Sequence, residues 1–177
     1  TSSLIRETTE NESANAGFQV SSFKDELKMY SHFAANVVGL GLNYGLVTYS
    51  KYPIKSENHI YLASEREQRG MLHTVVSVKG RKLNIINVHL GLGEEERETQ
   101  LNQLVDFINK LGNEPYIVVG DFNQGSMSLD KKILKDVAKE LDKANILTFA
   151  TGLDRIDYIF VSPKIEIVDY EVLIKNM

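Results

Sequence analysis

The chain contains no cysteine, which excludes disulfides and thiolate metal sites and with them any Cys-based structural zinc site. Nowhere does an apolar run approach the roughly 20 residues that span a bilayer, and no amphipathic stretch suits a membrane surface. The opening residues, Thr1 to Glu10, lack the cationic start and apolar stretch of a signal peptide. A soluble protein is expected, either cytoplasmic or secreted after removal of a leader. No Gly-x-Gly-x-x-Gly occurs, so a single parallel dinucleotide-binding sheet is a poor fit. Alternating aromatic and basic residues, the mark of a single-strand binding groove, are also missing. A net charge of -4 and a pI near 5.6 lack the basic excess that drives tight, non-specific binding to long nucleic acid. A local basic patch with a metal ion would still permit nucleic acid as a substrate.

What is present suits one globular domain: 177 residues, 42% hydrophobic and 25% charged. Thr1 to Val20 is polar and without period, and reads as loop or a mobile end. Ser22 with Asp25 forms a capping pair, and Phe23, Leu27 and Tyr30 recur at helical spacing, predicting a short helix from Phe23 to Phe33. Short β-rich runs follow at Asn36 to Leu40, Tyr44 to Ser50, His59 to Ala63, Met71 to Val78 and Leu83 to Leu90. Lys79-Gly80 supplies a tight hairpin turn between the last two. These runs read as an antiparallel meander.

Glu94 to Leu111 is the clearest helix, with Leu101, Leu104, Val105, Ile108 and Leu111 on one stripe, acidic residues at its positive end and Gly112 beyond its last turn. A strand over Pro115 to Gly120 comes next. A second helix is expected to start at Ser128 or Asp130 and to carry Ile133, Leu134, Val137, Ala138 and Leu141 inward. Strands at Ile156 to Val161 and Ile165 to Ile174 close the chain. An internal meander flanked by helices implies two sheets packed together and covered by helices.

Polar residues gather at strand ends. In Gly120-Asp121-Phe122-Asn123 a buried strand ends in a carboxylate and a carboxamide two residues apart, which an extended backbone would point to one side. A simple turn is the competing reading, because Gly, Asp and Asn all favour reversals. Asn87 and His89 share one side of another strand. Arg155 and Asp157 do so on a third, where Asp157 enters an apolar run and needs a partner, with a salt bridge to Arg155 or a backbone cap as the plain structural answer.

Together these residues resemble the endonuclease/exonuclease/phosphatase superfamily, which includes DNase I-like nucleases, sphingomyelinases and inositol phosphatases. The matching strings are Tyr44-Gly45-Leu46-Val47-Thr48-Tyr49-Ser50-Lys51-Tyr52-Pro53-Ile54, Arg69-Gly70-Met71-Leu72, Asn87-Val88-His89-Leu90-Gly91-Leu92, Gly120-Asp121-Phe122-Asn123 and Arg155-Ile156-Asp157-Tyr158-Ile159. They stand in the family's order from about Leu27 onward. The resemblance implies a four-layer α/β sandwich, two mainly antiparallel sheets face to face and flanked by helices. It also implies divalent-metal-dependent cleavage of phosphate esters. Asp121 would orient and help deprotonate the attacking water, Asn123 would hydrogen-bond the nucleophile or the scissile phosphate, His89 would face the phosphate, and Asp157 would orient a second histidine.

Arg69 and Asn87 are candidate substrate contacts. Arg69 could instead pair with Glu65 or Glu67. Mg2+ or Mn2+ is the expected cofactor, since hard oxygen ligands dominate such a site. The family's early Asn, its Gln-Glu pair and its closing Ser-Asp-His have no counterpart here, so both ends of the family domain are expected to lie outside this chain. Glu7, Glu10 and Glu12 could replace the missing glutamate but read as a solvated loop. The expected function is hydrolysis of phosphodiesters by a monomer without stable membrane insertion, acting on nucleic acid, phospholipid or small esters. A non-catalytic binding module on the same fold is the alternative.

Overall fold

The computed structural model describes residues 3–11, 18–39, 42–149 and 154–173. Strand β1 (Ser3–Asn11) is followed by helix α1 (Phe18–Leu27), β2 (Tyr30–Gly39) and β3 (Leu42–Ser50), and the three strands form a small sheet in the order β1-β3-β2. The loop expected over Thr1 to Val20 is therefore replaced by β1 and the first turn of α1, while Thr1, Ser2 and residues 12–17 lie outside the described residues. β1 pairs antiparallel with β3 from Ser3↔Ser50 to Asn11↔Leu42. Partner hydrogen bonds, rather than an apolar pattern, make this polar segment a strand.

The helix expected from Phe23 to Phe33 starts and ends earlier. Lys28 takes φ 52, which stops α1, and the aromatic and β-branched residues beyond it enter β2. Phe33 still joins Phe23, Leu27 and Met29 around Val20, Val47 and Tyr49, but it does so from a strand.

A second sheet has six strands: β4 (Ile54–Tyr61), β5 (Gly70–Val78), β6 (Arg81–His89), β7 (Tyr116–Asp121), β8 (Lys135–Asp136) and β9 (Asp157–Val161), in the order β4-β5-β6-β7-β9-β8. The expected meander is thus divided between two sheets. The β5–β6 hairpin turns through Lys79 and Gly80, both at positive φ, as a two-residue turn matched to strand twist requires. β6 and β7 are parallel, so a long crossover must join them. That crossover is α2 (Glu94–Leu111), preceded by Gly93 and ended by Gly112 at φ 59, as the sequence predicts.

Alternation gives this sheet two different faces. The outer face packs Met71, Ile86, Val88, Val118, Phe122, Tyr158 and Phe160 with Leu104 and Ile108 of α2. Burying one such aliphatic side chain is worth about 1.5–3 kcal/mol. The inner face meets the small sheet through hydrogen bonds: His32 Nδ1 lies 2.7 Å from Thr74 Oγ1, His59 Nε2 2.8 Å from Asn36 Oδ1, and Asn87 Nδ2 donates to the Val47 carbonyl at 3.2 Å. With α1 on the small sheet and α2 on the large one, the layers run helix, sheet, sheet, helix.

Two further expectations change. No long helix begins at Ser128 or Asp130; Asp130 caps a turn by accepting from the Lys132 amide, and only α3 (Val137–Glu140) is helical. Asp136 ends the turn because it caps α3 and also binds Arg155. Residues 165–173 form no strand, and Ile174 lies outside the described residues. Instead, Ile165, Ile167, Tyr170 and Val172 pack on Val137, Ala138 and Val161.

Candidate active site

The register of the large sheet aligns the ends of three strands. His89 on β6 stands opposite Asp121 on β7, and Asp121 stands opposite Asp157 on β9. Directly paired residues project to the same face, so an imidazole and two carboxylates form one row on the inner side. The His89 Nε2 to Asp121 Oδ2 distance is 3.8 Å, an electrostatic contact longer than a hydrogen bond.

Each member is held from behind. Gly120 has φ 141, and a Cβ there would collide with the Val88 carbonyl, so only glycine lets β7 lie this close to β6 just before Asp121. Phe122 is fully buried and packs edge-on against Tyr158 and Phe160 with centroids 5.4 and 5.3 Å away. Its amide donates to the Ile156 carbonyl at 2.9 Å, and the Leu90 amide donates to the Asp121 carbonyl at 2.9 Å. Gln100 of α2 is also fully buried; it accepts from the Gly91 amide at 2.8 Å and donates to the Ala63 carbonyl at 2.7 Å. That amide side chain ties together the loops that leave β4 and β6.

Asn123 reaches the site by a different route from the expected extended strand. β7 ends at Asp121, and Asn123 takes φ 49. Its amide donates to Asp121 Oδ1 at 2.8 Å and its Nδ2 to the Leu90 carbonyl at 2.8 Å. The turn reading and the site reading thus describe the same four residues, because the turn carries the carboxamide back beside the carboxylate.

Asp157 does not pair with Arg155. Arg155 makes a two-pronged contact with Asp136, Nη1 to Oδ1 at 3.0 Å and Nη2 to Oδ2 at 2.6 Å, and lies over the Tyr158 ring at 4.2 Å. The side chain of Asp157 is bonded by Thr148, whose hydroxyl also accepts the Asp157 amide at 3.0 Å. Although the residue has an exposed side, desolvation raises its carboxyl above the ordinary value; the Asp121 charge adds to this, and Thr148 and His89 oppose it.

Arg69 and His89 are each 8% exposed. Arg69 Nη1 lies 3.2 Å from His89 Nδ1 and 2.6 Å from Glu67 Oε1, so this cation both joins the row and makes the alternative salt bridge, with Glu67 of the two glutamates. Asn87 is 2% exposed and donates to β3. That contact places it between the sheets.

Among the described residues, no three His, Asp or Glu side chains gather to hold a metal. Glu7 and Glu10 fall on β1, whose side chains are outside the described part, and Glu12 is outside the described residues. Asp121 and Asp157 do supply two adjacent carboxylates. That number suits a Mg2+ ion completed by water and substrate oxygens.

The family profile described as "Endonuclease/Exonuclease/phosphatase family" matches residues 8–177. The chain belongs to that family. Within it, the chain is similar to the uncharacterized protein YbhP of Escherichia coli strain K12, 38% identical over 101 residues covering 54% of this chain and 40% of that protein. The match therefore spans less than half of that relative. The mannosyl-6-phosphatase Bt3783 of Bacteroides thetaiotaomicron has the same fold, with a TM-score of 0.69, 19% identity and coverage of 90% of this chain and 71% of that one. The human Nocturnin catalytic domain with a bound sulfate aligns at TM-score 0.66 and 19% identity, covering 90% and 69%. Among the described residues, no helix is long and apolar enough to cross a membrane.

Asp136, Thr148 and Asn36 also serve the site, through Arg155, Asp157 and His59 respectively. Asp136 precedes Val137 as a helix cap, a readable local signal. Thr148 and Asn36 act across long sequence separations and carry no local mark.

Proposed function

We propose that the chain forms the catalytic part of a metal-dependent hydrolase of phosphate esters, with phosphodiesters as the preferred class. The observation that carries this reading is the His89–Asp121–Asp157 row, set across three adjacent strands with Arg69 and Asn123 at its flanks. A phosphoryl group in transfer has charge on several oxygens and needs fixed donors and an oriented water. Arg69 and the second hydrogen of the Asn123 carboxamide nitrogen, whose first goes to the Leu90 carbonyl, supply donors. Asp121, whose Oδ1 is pinned by the Asn123 amide, would orient the attacking water and take its proton through the remaining oxygen. His89 would face the phosphate, and Asp157 would orient a histidine that the described residues do not include.

Mg2+ or Mn2+ belongs to this reading, completed by water and substrate oxygens beside the Asp121–Asp157 pair. A bound cation would neutralise phosphoryl charge and make bound water more acidic. The mannosyl-6-phosphatase among the similar structures is named for acting on a phosphate ester, which supports the reaction class without fixing the ester.

Turnover of bis-p-nitrophenyl phosphate, plasmid DNA and phospholipid, each with Mg2+, Mn2+ or a chelator, tests the proposal. Cation-dependent hydrolysis lost in Asp121→Ala and Asp157→Ala is expected. Retained turnover in both variants would remove the site assignment. The second reading, a phosphate-binding module without catalysis, is favoured by the absence of a three-ligand cluster among the described residues. Binding of phosphate without hydrolysis of any substrate would select it.

A further inference from the structure

The row that carries the proposed chemistry continues past His89. Its register runs through Gly70 on β5 to Tyr61 on β4. Gly70 offers no side chain, and a Cβ there would collide with the Asn36 carboxamide. The gap in the row is therefore filled from the other sheet. Asn36 reaches across from β2 and sets its Oδ1 2.8 Å from His59 Nε2. A carboxamide oxygen only accepts, so His59 donates from Nε2, and the Asn36 amide nitrogen is left with no hydrogen-bond partner among the described residues.

Beyond this pair the surface opens into a shallow hollow of about 480 Å³ lined by Asn36, Val38, Tyr61, Arg66, Glu67 and Gln68. Two of its walls are unusually bare for apolar groups: Tyr61 is 57% exposed and Val38 72%. The Tyr61 ring is steadied by His59, with centroids 4.5 Å apart. Glu67 links the hollow to the row, because it holds Arg69, which touches His89. Strands in a sheet lie about 4.8 Å apart. The Asn36 carboxamide therefore stands about 5 Å along the row from His89, and Tyr61 about 10 Å.

We propose that this hollow is the subsite for the alcohol portion of the phosphate ester. The spacing selects an alcohol with an oxygen-bearing spacer next to the phosphate and a flat ring beyond it. Asn36, fixed by His59 and seated on Gly70, donates to the spacer oxygen, and Tyr61 takes the ring face. The inference rests on reading the His89 row as the phosphate site.

Calorimetric binding by the protein of inorganic phosphate, ribose 5-phosphate and thymidine 5′-monophosphate tests it without requiring turnover. The thymidine ester is expected to bind at least about five-fold tighter than ribose 5-phosphate, from ring stacking. Tyr61→Ala should erase that ratio and leave ribose 5-phosphate unchanged. Asn36→Ala should weaken both esters several-fold while inorganic phosphate binds as before, and His89→Ala should weaken all three. Tyr61 is largely exposed, so its variant carries the test if Asn36→Ala fails to fold. An unchanged ratio in Tyr61→Ala, or no preference in the parent protein, overturns the subsite alone. Failure of all three ligands to bind overturns the subsite together with the phosphate site. The expected ratios without hydrolysis of any ester support the subsite and count against the hydrolase reading.

Discussion

The two faces of the six-stranded sheet are built from alternate residues of the same strands, yet they obey different rules. The outer face is largely apolar and closed by α2, with Phe122, Tyr158 and Phe160 packed at centroid distances of 5.3 to 5.4 Å and one polar pair, His73 and Asn84. The inner face carries His59, Thr74, Asn87 and the row from Asp157 to His89 beside the buried Leu72, Val76 and Ile85, and individual hydrogen bonds fasten it to His32, Asn36 and Val47 of the small sheet. Non-directional burial suits a face that must only hold together. Directional polar contacts suit a face that must present groups at set positions, and each buried partner left unpaired there is costly.

The largest separation between the faces should come from Asp121→Ala. Under the proposed function, turnover falls by about 100- to 10,000-fold, the usual span for a lost general base, while the urea midpoint moves little. A variant that keeps its turnover, or one that unfolds, would blur the division of labour.

The converse change is Phe122→Ala on the outer face, expected to cost about 3–5 kcal/mol in denaturant unfolding. Because Phe122 also anchors the turn between Asp121 and Asn123, turnover should fall too. A stable variant with full turnover would show that the turn holds itself.

Acid should act on the inner face. His32 is lowered from 6.5 to about 4, first by burial and then by the charges of His59 and His73. Between those values the unfolded chain binds more protons than the folded one, so stability rises with pH across that window and levels off above about 6.5. The shift corresponds to about 3 kcal/mol between pH 4 and pH 7. Urea unfolding against pH should show this slope, and His32→Gln should flatten it. An equal slope in the variant would place the acid sensitivity elsewhere.

Smallest of all, Asn87→Ala should cost about 1–2 kcal/mol through the loss of its bond to the Val47 carbonyl, with the KM of a phosphodiester substrate unchanged. A large rise in KM with intact stability would return Asn87 to the substrate and erase its assignment to the sheet interface.

Much of the outer face is legible in the sequence. The Glu94–Leu111 helix, the Lys79-Gly80 turn and the strands on either side announce themselves through period, caps and turn residues, all of which act within a few positions. The errors fall where a distant partner prevails. Tyr30 has helical spacing from Phe23 and Leu27 but is taken into β2 by pairing with Ser50. Asp136 interrupts an expected helix to bind Arg155, which in turn removes Arg155 from Asp157. The i, i+2 spacing predicts the right neighbour for Asp121 through the wrong geometry, since Asn123 returns by a turn at φ 49.

Composition and order determined which chemical groups were available: two carboxylates, an imidazole, a guanidinium and amides at the ends of β-rich runs, in an order that marks the family. Tertiary structure alone decided that His89, Asp121 and Asp157 share one row, that Asn87 belongs between the sheets, and that Asn36 fills the gap above Gly70. Side-chain alternation is a property of a single strand and can be read along it. Register between strands, and the facing of one sheet on another, arise from contacts between residues far apart in the chain, and no local pattern encodes them.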